Sequence, residues 1–136
     1  MFRLIISVDL LNKVVLECLN TRIEKVYIGI GSKDKDNFVV SQLHECSNVS
    51  KTPDRTFVAD PLCIINLYEK AKALGMDIVA LLHSHPAPPT PSLDDLKGME
   101  AWKIPWIIVN SLDGERNAWI LIDNTLMEIP IVETKQ

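Results

Sequence analysis

Cysteine is scarce and unpatterned: the chain has three, Cys18, Cys46 and Cys63, widely spaced and with no Cys-x-x-Cys pair. That leaves no basis for a zinc ribbon or a disulfide framework, and the three are expected to be reduced core thiols in a cytoplasmic protein. No apolar run approaches the ~20 residues of a membrane helix. Met1-Phe2-Arg3-Leu4 has no signal-peptide organisation, so neither a membrane span nor secretion is expected. Positive charge is also short, with 14 Lys and Arg against 18 Asp and Glu for a net charge of −4. Such a chain presents no basic field for nucleic acid. Aromatic residues make up 6%, and Trp102, Trp106 and Trp119 fall on separate segments, which suits core or rim packing better than a base-stacking platform. Gly29-x-Gly31 is not followed by a helix with a third glycine and so is no nucleotide loop.

What is present fits one domain. A chain of 136 residues that is 47% hydrophobic can bury one core and has no room for a second. The expected division is a single domain over residues 1–132 with a short tail at 133–136.

The densest chemistry lies at His83-Ser84-His85-Pro86, followed by Ser92 and Asp95. The preceding Ile78-Val79-Ala80-Leu81-Leu82 reads as a buried strand. Alternate residues of a strand share a face, so His83 and His85 point together and Ser84 points away. Pro86 ends the strand. A loop with prolines at 86, 88, 89 and 91 leads to Ser92, the N-cap of a helix with Asp95 at its third position. The loop returns the helix start to the strand end, where Asp95 can join His83 and His85 as a third metal ligand. Two imidazoles and a carboxylate with a fourth position open for water is the pattern of hydrolytic zinc, with iron or cobalt as alternatives. The plainer alternative is that Ser92-x-x-Asp95 is only a capping box and the histidines ordinary rim residues. His44 and Cys46 alternate on a strand but lack further ligands. Glu17 falls on the polar face of a helix and is expected to be solvated.

The remaining pattern alternates strands and helices: a strand at 2–6, a helix at 9–19, and strands at 26–31 and 38–46 joined by a polar turn. Asp60 caps a helix that opens at Pro61 and runs to Gly75. After the strand at Ile78 and the helix at Ser92 come strands near 106–110, 118–123 and 126–132. Helices flanking a mixed, mostly antiparallel sheet follow, which is an α/β class.

These residues resemble the JAMM or MPN+ zinc metalloproteases, whose signature is His-x-His-Pro, a loop, then Ser-x-x-Asp, with a glutamate well upstream. Glu24-Lys25-Val26-Tyr27-Ile28-Gly29-Ile30-Gly31 is similar to the family's glutamate motif, and Asn48, Pro53, Arg55, Phe57, Asp60 and Pro61 fit its Asn…Pro…Arg-x-Phe-x-x-Asp-Pro stretch. The likeness spans residues 1–132. It departs in two places: the loop before Ser92 is one residue shorter than usual, and Tyr27 replaces a glycine. The resemblance implies the MPN sandwich, similar to that of cytidine deaminases, and one zinc ion per chain on His83, His85 and Asp95. It makes Glu24 the general base and Ser92 an oxyanion donor.

By that resemblance the chain is a compact prokaryotic, desampylase-like isopeptidase. It would cut the amide bond after the Gly-Gly tail of a ubiquitin-like modifier, which the segment 48–57 would hold as an unpaired strand edge. The alternatives are an inactive MPN scaffold that binds partners, and a zinc amidase acting on small peptides. Neither nucleic acid nor membrane is expected as a partner, and the oligomeric state is left open.

Overall fold

A computed structural model describes residues 1–135. Eight strands form one mixed sheet in the order β7-β6-β5-β4-β2-β3-β1-β8. The strands are β1 (Arg3–Ser7), β2 (Val26–Asp34), β3 (Asn37–Cys46), β4 (Asp77–His85), β5 (Trp106–Asn110), β6 (Arg116–Ile122), β7 (Thr125–Ile129) and β8 (Ile131–Thr134). The helices are α1 (Val8–Cys18), α2 (Pro61–Ala73) and α3 (Leu93–Ala101). The β2–β3, β2–β4, β5–β6 and β6–β7 pairs are antiparallel, whereas β1–β3, β1–β8 and β4–β5 are parallel. The α/β class with a mixed sheet is as the sequence predicts.

The segment 126–132, expected as one strand, is two. Pro130 has no N–H to give to a ladder, and the chain changes partners there: β7 pairs with β6, whereas the Pro130 carbonyl accepts from Leu4 N–H at 3.0 Å and β8 follows along β1. One residue thus separates the strands at opposite ends of the order, so the sheet curls enough to bring the end of β7 and the start of β8 together at Pro130. β8 also runs two residues into the expected tail, to Thr134; Gln136 lies outside the described residues.

One face of the sheet packs against the buried side of α1. Leu11, Val14, Val15 and Cys18 of α1 pack against Leu4, Tyr27, Phe38, Leu82, Val109, Ile120 and Ile129, which come from all the strands up to β7. Ser7 caps α1 by accepting from Leu10 N–H at 3.0 Å. Glu17 of α1 is not simply solvated, since it accepts a hydrogen bond of 2.8 Å from the Tyr27 hydroxyl. The opposite face of the sheet carries α2 and α3 over a second cluster that includes Val26, Ile28, Leu67, Leu81, Met99 and Trp106. Alternate residues of β4 therefore serve two cores, with Leu82 facing α1 and Leu81 facing the other helices. A β-bulge at Ile30/Gly31 depends on glycine, because a Cβ at Gly31 would lie 1.8 Å from the Val39 carbonyl oxygen.

The expectation of three free thiols is corrected: Cys46 and Cys63 form a disulfide across 17 residues. Cys46 ends β3 and Cys63 lies in the first turn of α2, and the intervening segment doubles back to bring their Cα atoms within 5.8 Å. Neither sequence spacing nor an odd cysteine count reveals such a pairing. The bond also removes the argument from reduced thiols to a cytoplasmic setting. Cys18 alone stays free, and burial pushes its thiol up to about 11. Among the described residues no helix is long and apolar enough to cross a membrane.

Candidate metal and hydrolase site

The end of β4 carries both histidines on the α2/α3 side of the sheet. His83 pairs in register with Val26 of β2 and Ile108 of β5, and His85 with Asn110. Ser84, between them, points the other way. Its N–H donates to the Lys25 carbonyl and its Oγ accepts from the Lys25 N–H, both at 3.0 Å. Those bonds prolong the β2–β4 pairing to the residue beside Glu24.

Glu24, His83 and Asp95 come together. His83 is 1% exposed, and its ring lies between two buried carboxylates, with Asp95 Oδ1 3.1 Å from Nε2 and Glu24 Oε1 3.6 Å from Nδ1. Burial alone would lower the pKa of His83, but the two carboxylates overrule it and hold the imidazole up at about 9. Asp95 moves down: burial would raise it, yet His83 and the amide of the helix start keep it below the ordinary carboxylate value. His85 is half-buried and moves down through burial first and the neighbouring His83 second.

The plain and the functional readings of Ser92-x-x-Asp95 are compatible, because the carboxylate divides its oxygens. Oδ2 accepts from the Ser92 N–H at 2.9 Å, while Ser92 Oγ accepts from the Asp95 N–H at 3.0 Å, completing a capping box for α3. Oδ1 is left facing His83. The short loop at 86–91 makes this return, held where the Trp119 indole N–H donates to the Pro89 carbonyl at 2.8 Å.

The donor set fits a metal ion of the zinc type. Nε2 of His83 and Nε2 of His85 are both buried without a hydrogen-bond partner, and the 3.1 Å approach of His83 Nε2 to Asp95 lacks hydrogen-bond geometry. Orphaned buried nitrogens beside a carboxylate need an explanation, and a shared cation supplies one. His85 stands further off, its ring centroid 5.6 Å from that of His83. Among the described residues no three such side chains are gathered round one point.

Aromatic rings cover the site. Phe57 lies 4.5 Å from the His83 ring and Trp106 meets it edge-on at 5.9 Å. A cavity of about 350 Å³ opens beside them, lined by Glu24, Arg55, Phe57, Ser92, Asp95 and Trp106 among others. A larger groove of about 610 Å³ lies at the other end of β4, beside Asp77, Ile78 and Val79, far from these residues. Sequence reasoning placed Phe57 only at the end of the expected tail-holding segment and gave no site role to Trp106; a tryptophan beside Pro105 and Ile107 carries no signal that separates a core from a site wall. It also expected residues 48–57 to be an unpaired edge. They are folded on themselves instead: Val49 N–H donates to the Val58 carbonyl, Asn48 bridges to Ala59, and Arg55 and Thr56 N–H both return to Thr52. His44 is held by Gln42 at 2.7 Å and Cys46 by its disulfide, so that pair forms no second metal site.

The chain is similar to two curated proteins. One is the desampylase of Pyrococcus furiosus, 42% identical over 78 residues that make up 56% of this chain and 55% of that one. The other is the probable TtuB-protein conjugate cleaving protease of Thermus thermophilus, 34% identical over 70 residues, 51% of this chain and 46% of that one. The chain thus spans about half the length of the curated relatives it matches. Among solved structures, a protein of Desulfitobacterium hafniense superposes with a TM-score of 0.84 at 16% identity, covering 98% of this chain and 94% of the other. One of Salinibacter ruber does so at 0.68 and 23%, covering 98% and 92%. Both share the fold. Residues 12–122 match the family described as prokaryotic homologs of the JAB domain, and the chain belongs to that family.

Proposed function

We propose that the chain is a zinc-dependent isopeptidase that hydrolyses the amide bond after the Gly-Gly tail of a ubiquitin-like modifier, releasing the modifier from its conjugates. The observation that carries this reading is His83 lodged between two buried carboxylates while two imidazole nitrogens lack partners. The substrate class comes from the names of the two relatives, a desampylase and a conjugate-cleaving protease. His83, His85 and Asp95 would hold one zinc ion, which when bound polarises the scissile carbonyl and lowers the pKa of a water from ~15.7 towards ~7.

The second carboxylate has a different task. Glu24 is not one of the three ligands and lines the same cavity as Ser92 and Asp95, so it would take a proton from the attacking water there and hand it to the departing amine nitrogen. The water oxygen then stays on the carbonyl carbon as the C–N bond breaks. Ser92 uses its oxygen to accept from the Asp95 amide, which leaves the hydroxyl hydrogen to donate to the carbonyl oxygen as charge develops there. Phe57 and Trp106 keep bulk water off the imidazole. A tail ending in glycine suits so enclosed an approach, because its backbone can come close with no Cβ in the way.

The test is a pair of modifier fusions, one ending in Gly-Gly and one in Ala-Ala, incubated with the zinc-loaded protein. The first should be cleaved and the second not. Equal cleavage of both would favour a general zinc amidase, and cleavage of neither by protein carrying stoichiometric zinc would favour a scaffold.

A further inference from the structure

Glu24 lies outside any regular element. β2 begins at Val26, and the preceding residues 20–25 have no helix or strand of their own. A proton-transfer group needs a fixed position, so something other than a strand ladder must hold this backbone. The observed partners come from the segment between β3 and α2: the Glu24 N–H donates to the Pro53 carbonyl at 2.7 Å, and the Glu24 carbonyl accepts from Asn48 Nδ2 at 2.8 Å.

Asn48 is the hub of that segment. Its Nδ2 also donates to the carbonyls of Pro53 at 3.3 Å and Thr56 at 3.0 Å, while its Oδ1 accepts from the N–H groups of Ser50 at 3.1 Å and Val58 at 3.0 Å. The orientation of the amide is fixed by this company: turned over, it would set its oxygen against three carbonyls and its NH₂ against two N–H groups. One side chain therefore ties the backbone of Glu24 to the same loop that lays Phe57 over His83. No aspartate, which lacks the donors, and no aliphatic residue could do both.

We propose that Asn48 is a positioning residue for Glu24, acting on the proton-transfer step through the Glu24 backbone rather than by touching substrate or metal. The inference deepens the isopeptidase reading and rests on it for its kinetic consequence. Loss of comparable outer supports costs about 10–100-fold in metal affinity or activity; here the loss should fall on kcat, with KM and zinc content unchanged.

The experiment is a double-mutant cycle in the zinc-loaded full chain, read with amide hydrogen exchange. Asn48→Ala should lower kcat by about 10–100-fold, yet should cost less than about threefold more when added to Glu24→Gln, because the group it positions is then already disabled. Ser50→Ala, which loosens the loop by losing the Ser50–Thr56 hydroxyl contact of 2.6 Å without touching Glu24, should stay within about threefold of wild type. An equal loss from Asn48→Ala in both backgrounds would overturn the proposal. If Glu24→Gln itself keeps full activity, the isopeptidase assignment of Glu24 fails, and exchange then decides the inference separately. In the wild-type chain the Glu24 amide should exchange together with that of Val58, also held through Asn48, and at least about tenfold faster than the strand amide of Leu82. In Asn48→Ala the protection of Glu24 should fall about tenfold with Leu82 unchanged. Glu24 exchanging in step with Leu82 in the wild type, or keeping its protection in a folded Asn48→Ala, would contradict it, and the wild-type measurement stands even where the variant does not fold.

Discussion

The two carboxylates beside His83 are supported in opposite ways. Asp95 sits in the first turn of a capped helix reached by a six-residue loop from the strand that bears the histidines, and its own side chain makes half of the cap. Glu24 comes from the far end of the sequence on an irregular stretch, fixed by a loop closed by a disulfide. The Asp95 side is thus locally encoded and stiff, whereas the Glu24 side depends on long-range contacts. The difference teaches that binding and proton transfer, the two tasks of the site, rest on separable supports.

The largest effect should come from removing the imidazoles on the stiff side. His83→Ala/His85→Ala should abolish stoichiometric zinc and with it cleavage, measured by metal analysis and a fusion-cleavage assay. Retained zinc would show that the ion, if any, sits elsewhere.

Next comes pH. The metal-free fold holds His83 protonated up to about 9, so zinc must displace that proton, and apparent affinity should fall by up to about tenfold per unit below that pH. The sign for stability is the reverse. A raised folded pKa favours the folded state fully below the unfolded value of about 6.5, and this contribution is lost as pH rises through about 9. Calorimetric titration and thermal melts of the metal-free chain between pH 6 and 9.5 check both; flat profiles would mean the carboxylates do not control this imidazole.

Reduction of Cys46–Cys63 should fall on the other side. Opening a cross-link over 17 residues should cost about 3 kcal/mol of stability, and it should lower turnover more than zinc affinity, because residues 47–60 hold Glu24 and not Asp95. Equal loss of both would erase the distinction between the two sides. Smallest of all, Ser92→Ala should cost roughly 0.5–2 kcal/mol as a lost cap, while Ser92→Asp keeps the cap and still lowers kcat because an ionised carboxylate cannot donate to an oxyanion.

The same contrast explains what the sequence made legible. His83, His85, Ser92 and Asp95 fall within thirteen residues, and the alternation of a strand with the start of a capped helix is enough to bring them together on paper. Glu24 is 59 residues from His83, and no periodicity on an irregular segment connects them; only the family resemblance drew it in. The Cys46–Cys63 bond and the hub at Asn48 depend on how a loop doubles back, which spacing does not encode. The split at Pro130 was readable in principle, since proline cannot donate to a ladder, but the apolar residues on either side mimic one continuous strand.

The most direct test of the account measures zinc content and turnover on the same preparations of Glu24→Gln and Asp95→Asn. Glu24→Gln should keep about one zinc per chain and lose ~10²–10⁴ in kcat, whereas Asp95→Asn should lose both zinc and turnover. Loss of zinc from both variants, or near-normal turnover by Glu24→Gln, would contradict the division of labour between the two carboxylates.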